Sequence, residues 1–281
     1  AFAFGDKSLE NAVRRVNAVR RIAVIGAGTM GQGIAIDLIR KTDAHVVVLD
    51  VRPEALERAS AVLGRTWAGD AEAGRIRAED VRTLEGRATF TQDYKHLRDC
   101  DIIWEAATER AEIKSGIFQS IEATADPERL AAVFSNTSSH TTAELAVLFK
   151  TEALRERFLT VHGYYPFEAN RLIDVMKGPY ASPETFNFAV VFADQILEKT
   201  VIALSLDHHG YITDPIFQAM GAIVSWDVRS GRDIAILGGI WDLFTANPFT
   251  VLDQTGHMPY TESSRHLGQH LARGGIQHLL D

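Results

Sequence analysis

Cysteine is almost missing from this 281-residue chain: Cys100 stands alone. A disulfide within the chain is therefore excluded, and the composition fits a reducing compartment, so a cytoplasmic location is expected. Basic residues are also in short supply, 29 Lys and Arg against 37 Asp and Glu, for a net charge of −8. Such a surface lacks the positive field that phosphate backbones require, and nucleic acid is not an expected partner. No apolar stretch nears the roughly 20 residues that span a bilayer, so no membrane partner is expected. Residues 1–20 mix acids with arginines and have no apolar centre, unlike a secretory signal. Repeats and low-complexity tracts are lacking too. What remains, 46% hydrophobic and 23% charged residues, is an ordinary globular composition. The length suits one large domain with a smaller one.

One stretch departs from the ordinary. Residues 21–35 read Arg-Ile-Ala-Val-Ile-Gly-Ala-Gly-Thr-Met-Gly-Gln-Gly-Ile-Ala. The apolar run Ile22 to Ile25 has the length and composition of a buried strand, and it turns at Gly26, Gly28 and Gly31 into a helical segment towards Arg40. In a G-x-G-x-x-G turn the first glycine makes the bend and the second lets the backbone approach a pyrophosphate. The third lets the helix pack closely on its strand, with the helix N–H groups aimed at phosphate. A second apolar run from His45 ends in Asp50, 19 residues after Gly31. A carboxylate at that point binds both ribose hydroxyls of an adenine nucleotide and repels a 2′-phosphate. NAD is therefore expected rather than NADP, with Arg52 the one neighbour suited to the extra phosphate.

The rest of the chain alternates. Helices are expected over 9–20, 53–64, part of 68–87, 111–125 and 183–198. Strands are expected over 88–90, 101–105, 131–134, 157–162, 172–176 and 201–205. This alternation implies an α/β fold, a Rossmann-type doubly wound and mainly parallel sheet. After Asp207 the strand-like runs stop and the pattern reads as helical. The expected domains are 1–205, binding the dinucleotide, and 206–281, a smaller all-helical unit.

At this point the chain resembles the L-3-hydroxyacyl-CoA dehydrogenases. Four segments carry the likeness in the family's order: Val24-Ile-Gly-Ala-Gly-Thr-Met-Gly31, Trp104-Glu-Ala-Ala-Thr-Glu109 with Lys114, Ser135-Asn-Thr-Ser-Ser139, and His162-Gly-Tyr-Tyr-Pro166 leading to Gly178-Pro179. It extends from Arg21 to about Gly210. The resemblance implies a Rossmann domain followed by a helical domain that forms a homodimer interface. It implies hydride transfer between a secondary alcohol and NAD. Contacts to the dinucleotide are implied for Gly26, Gly28, Thr29, Met30, Gly31, Asp50, Arg52, Ala106, Glu109, Lys114 and Asn136.

For catalysis the resemblance implies His162 as general base, a task suited to imidazole because its ordinary pKa lies near neutrality. Ser138 matches the serine that hydrogen-bonds the reacting oxygen. The family orients its histidine with a glutamate twelve residues on, and Asp174 stands there in this chain. Being one methylene shorter, it needs some backbone adjustment to make contact; Glu168 is the substitute candidate. Asp214 takes the place of a substrate-side asparagine, an acid where an alkoxide develops.

These departures keep three functions in view: a dehydrogenase of 3-hydroxyacyl-CoA thioesters, one acting on a short polar 3-hydroxyacyl group carried by an acyl carrier protein, and a catalytically silent nicotinamide-binding relative. The stretch 65–77 has no lysine for a CoA phosphate, leaving Arg65, Arg75 and Arg77. Tyr164 and Tyr165 bring two phenols near the base, and a polar substrate is one way to satisfy their hydroxyls. No metal is expected. Asp207, His208, His209 and Asp214 fit no standard ligand spacing, and His266 with His270 lacks a third ligand. Ile234, Ile236, Leu237, Ile240, Trp241 and Phe244 are dense for a unit of that size and suit a dimer interface.

Overall fold

The computed structural model describes residues 6–205, 207–211 and 230–231. The chain divides into two units: Ala1–Thr137 with Thr142–Asp207, and Ser138–Thr141 with His208–Asp281. Asp214, His266, His270, the apolar set from Ile234 to Phe244 and the helices expected after Ile212 lie outside the described residues.

The larger unit is built on eight strands: β1 (Arg21–Ile25), β2 (His45–Leu49), β3 (Ala88–Thr91), β4 (Ile102–Glu105), β5 (Ala132–Ser135), β6 (Phe158–Gly163), β7 (Leu172–Met176) and β8 (Thr200–Leu204). They form one sheet in the order β3-β2-β1-β4-β5-β6-β7-β8. Pairing is parallel everywhere except between β6 and β7. The helices are α1 (Asp6–Asn17), α2 (Thr29–Lys41), α3 (Pro53–Glu72), α4 (Val81–Gly86), α5 (Ala111–Thr124), α6 (Thr142–Ala146), α7 (Glu152–Arg155) and α8 (Pro183–Val191).

The central strands β1, β4 and β5 are apolar except at one end each (Arg21, Glu105 and Ser135), because both faces are covered. Alternate residues of β1 enter different cores. Ile22 and Val24 pack with Ile34 and Leu38 of α2 and with Phe188 of α8. Ala23 and Ile25 pack with Ile117, Phe118 and Ile121 of α5. Strand order reverses between β1 and β4, which opens a crevice at their carboxyl ends.

Two helices differ most from the expected spans. α3 runs unbroken through Gly64 and Gly69 to Glu72, since its buried face Ala55, Leu56, Ala59, Leu63, Trp67 and Asp70 keeps helical spacing past both glycines. α8 stops at Val191 and passes into a wider π turn over Phe192–Ile196. Among the described residues no helix is long and apolar enough to cross a membrane.

The glycine turn shows its function through what a side chain would strike. A Cβ on Gly31 would lie 1.8 Å from the Gly26 carbonyl oxygen, and Gly26 itself, at φ +107°, would press a Cβ to 2.6 Å from the Ala106 oxygen. Gly28 has nothing within 4 Å. Gly31→Ala is therefore expected to cost at least about 1–3 kcal/mol through overpacking, seen as a lower Tm. Gly28→Ala should keep the wild-type Tm and lose roughly tenfold or more in NADH affinity, the size of a hydrogen bond to a charged group. Equal destabilisation by both substitutions would contradict this reading.

Cys100 is 1% exposed, and burial pushes its thiol up to about 12. As a thiolate is the reactive form, an aromatic disulfide reagent should leave the native protein untouched at mildly alkaline pH and titrate a thiol only in denaturant. Rapid labelling of the folded chain would show the site to be open.

Candidate active site

The crevice begins where β1 ends. Gly28 caps α2 without a side-chain hydrogen bond, and the first turn of α2 carries no acid. The amino end of a 13-residue helix thus faces open space at a residue with no Cβ, the arrangement that receives a pyrophosphate. Thr29 and Met30 open that helix. Ala106, just past β4, donates its N–H to the Ile25 carbonyl at 2.8 Å and lies against Gly26.

Asp50 follows β2. One carboxylate oxygen accepts the Ala27 N–H at 2.9 Å, and the other accepts the Arg52 N–H at 2.9 Å. The Arg52 side chain lies 3.4 Å from Asp50 Oδ1. Burial works against the charge, but the two amides and the guanidinium outweigh it and hold the carboxyl below its ordinary value. Each oxygen retains lone pairs, so an ionised Asp50 is ready to accept from ribose hydroxyls. Open cradle, bare helix end and charged acid together fit a dinucleotide.

The next strand ends carry a buried ion pair. Lys114 of α5 reaches both oxygens of Glu105 at 2.9 Å and lies 3.5 Å from Glu109. Ser135 donates to Glu105 at 2.5 Å and the Ala107 N–H at 2.7 Å. Burial works against the ammonium, yet Glu105 and Glu109 raise its pKa above the ordinary value. Lys114, 1% exposed, thus braces β4 and β5 from inside. Glu109 is more open and accepts the Thr137 hydroxyl at 2.7 Å. Asn136 accepts the Gly163 N–H at 2.9 Å, which ties the end of β5 to the residue after His162. Glu105 and Ser135 were not singled out as site residues; the signal for them was an acid closing an otherwise apolar strand.

His162 and Asp174 face each other because β6 and β7 are antiparallel, with the two residues register partners. Nδ1 of His162 stands 3.9 Å from Asp174 Oδ2, and the pair is 6% and 0% exposed. The Tyr164 hydroxyl donates to the same Oδ2, and its ring meets the imidazole edge-on with centroids 4.7 Å apart. That corrects an expectation: the Tyr164 phenol finds its partner inside the protein and needs no polar substrate. Glu168 points elsewhere, towards Gly33 and within electrostatic range of Lys199.

The loop after His162 is clamped by Lys199. Its ammonium donates to the carbonyls of Phe167 at 2.5 Å and Asn170 at 2.8 Å and pairs with Asp37 of α2 at 3.0 Å.

Ser138 belongs to the smaller unit. There His209 Nδ1 lies 2.9 Å from the Ser139 carbonyl, and Tyr211 donates to that of His140 at 3.2 Å. Asp207 spends its carboxylate on the N–H groups of Thr142 and Ala143, at 2.8 and 2.7 Å, at the start of α6. Among the described residues no three His, Cys, Asp or Glu side chains cluster for a metal. Two of the arginines considered for a CoA phosphate are engaged by acids: Arg75 with Asp70 at 2.7 Å, Arg77 with Asp80 at 2.7 Å.

Known proteins resemble this chain in sequence and fold. The NAD-binding domain profile of 3-hydroxyacyl-CoA dehydrogenase matches residues 21–207. A probable 3-hydroxybutyryl-CoA dehydrogenase of Deinococcus radiodurans is 32% identical over 71% of this chain and 69% of its own. One so named in Bacillus subtilis is 28% identical over 72% and 68%. The crystal structure of an (S)-3-hydroxybutyryl-CoA dehydrogenase from Ralstonia eutropha superimposes with a TM-score of 0.79 at 23% identity, covering 90% of this chain and 88% of that one. With the glycine cradle and Asp50 inside the matched span, the chain belongs to the 3-hydroxyacyl-CoA dehydrogenase family and is an NAD-dependent oxidoreductase.

Proposed function

We propose that this enzyme interconverts a short-chain 3-hydroxyacyl thioester and its 3-oxoacyl form, with His162 as the general base. The cross-strand placement of His162 opposite Asp174 carries the reading. In the oxidative direction His162 takes the proton of the 3-hydroxyl, and Asp174 offsets the positive charge that forms on the ring. By the family resemblance, Ser138 is the candidate donor to the reacting oxygen. NAD, when bound, supplies the hydride acceptor. Asp50 would hold its ribose and the amino end of α2 its pyrophosphate, with Glu109 and Asn136, which follow β4 and β5, as further contacts.

A four-carbon acyl group is the first choice, in line with the substrate in the relatives' names. CoA is the first choice of tether for the same reason. An acyl carrier protein is the second reading, favoured by the acids that neutralise Arg75 and Arg77 where a CoA phosphate would need free cations. A homodimer belongs to the proposal as well, on the apolar density from Ile234 to Phe244 in the sequence.

His162→Ala is expected to lower kcat about 10²–10⁴-fold, the range for a lost general base, with NADH affinity nearly intact by fluorescence titration. Retention of most of the wild-type kcat would remove the base assignment. Comparing kcat/KM for 3-hydroxybutyryl-CoA and its carrier-bound analogue decides the tether: better turnover of the carrier form replaces the first reading with the second. Light scattering at micromolar concentration should give twice the monomer mass; a monomer mass would end the dimer proposal.

A further inference from the structure

We propose that Tyr164 is a positioning residue for the base: its hydroxyl holds the Asp174 carboxylate towards His162, replacing reach that the shorter acid lacks. The inference rests on the reading of His162 as base and adds a third member to that pair.

The backbone sets the problem. His162 and Asp174 are register partners across β6 and β7, so sheet hydrogen bonding fixes the separation of their main chains. From there the aspartate stops 3.9 Å short of Nδ1, beyond hydrogen-bonding length. A carboxylate at that distance attracts an imidazolium but has no directional bond to fix its own rotamer or the ring's. Asp174 is also completely buried, and its Oδ1 has no donor among the described residues. A buried anion so poorly served is costly unless another group supplies a proton to share.

Tyr164 supplies it. Its hydroxyl donates to Oδ2, the oxygen that faces Nδ1, which pins the carboxylate in the rotamer that serves the base. The same side chain packs its ring at 75° against the imidazole, 4.7 Å between centroids. One residue therefore steadies both members of the pair, the acid through a hydrogen bond and the base through an edge-to-face contact. A phenylalanine would keep the second contact and lose the first, so the two roles separate experimentally.

The test is a double-mutant cycle assayed as acetoacetyl-CoA reduction by NADH, with NADH titration and thermal unfolding as controls. Tyr164→Phe should lower kcat roughly tenfold, the size of one hydrogen bond to a charged group, with KM and NADH affinity within about twofold of wild type. Asp174→Glu adds the methylene that closes the gap to Nδ1. In that background Tyr164→Phe should cost less than about twofold, since the acid then bonds the imidazole directly. A wild-type kcat in Tyr164→Phe alone overturns the proposal. So does a rise in KM with kcat intact, or an equal loss in both backgrounds. His162→Gln separates this proposal from its parent. Full turnover in that variant removes the base reading itself, whereas an inactive His162→Gln beside a fully active Tyr164→Phe removes only the role of Tyr164.

Discussion

Everything at the carboxyl edge of the sheet depends on backbone lying directly against backbone where β1 ends. Gly31 sits so close to the Gly26 carbonyl that a Cβ would stand 1.8 Å away, and a Cβ on Gly26 would stand 2.6 Å from the Ala106 oxygen after β4. These contacts bring α2 down onto its own strand and draw β4 beside it. The helix end, the Asp50 carboxylate and the Ala106 backbone then converge on one crevice at the reversal of strand order. A methyl group at either glycine would separate them. Gly28 is the contrast: a Cβ there would meet nothing within 4 Å, so the fold itself does not require the glycine.

Much of this was legible in the sequence, for a physical reason in each case. The dinucleotide site rests on local chemistry, three glycines and an acid at fixed offsets from two apolar runs, and local chemistry survives folding unchanged. The strands were legible because burial on both faces leaves most of their positions apolar. What escaped were pairings between distant segments. The family resemblance alone put Asp174 near His162, but only the antiparallel pairing of β7 with β6 makes them opposite neighbours, and only the side-chain geometry gives Oδ2 to Tyr164. The bonds of Arg75 to Asp70 and of Arg77 to Asp80 escaped likewise, because a helical charge pattern does not reveal which acid each guanidinium will meet. α3 outran its expected end because Trp67 and Asp70 extend its buried face, a tertiary gain that outweighs two weak helix formers.

The site is surrounded by buried carboxylates, and each is served by different donors. Glu105 receives an ammonium, a hydroxyl and an amide, a complete set that makes it part of the frame. Asp50 receives two amides and the flank of a guanidinium, which keeps it charged with lone pairs to spare. Among the described residues Asp174 receives a single phenol and faces an imidazole. The fewer internal donors an acid has, the more its charge is available to something else. That gradient runs from Glu105, through Asp50, to Asp174 beside His162.

Lys199 gives the molecule a fixed internal ruler. Its ammonium grips two carbonyls of the loop that follows His162, and it pairs with Asp37, which rides on the helix whose amino end addresses the dinucleotide. The segment proposed to carry the proton chemistry and the helix proposed to seat the hydride carrier are thus pegged to one shared atom. Alcohol oxidation needs the proton and the hydride to leave from opposite ends of a single H–O–C–H unit, so the two receiving groups must keep a constant spacing. A buried nitrogen bonded to both sides sets that spacing before any substrate arrives.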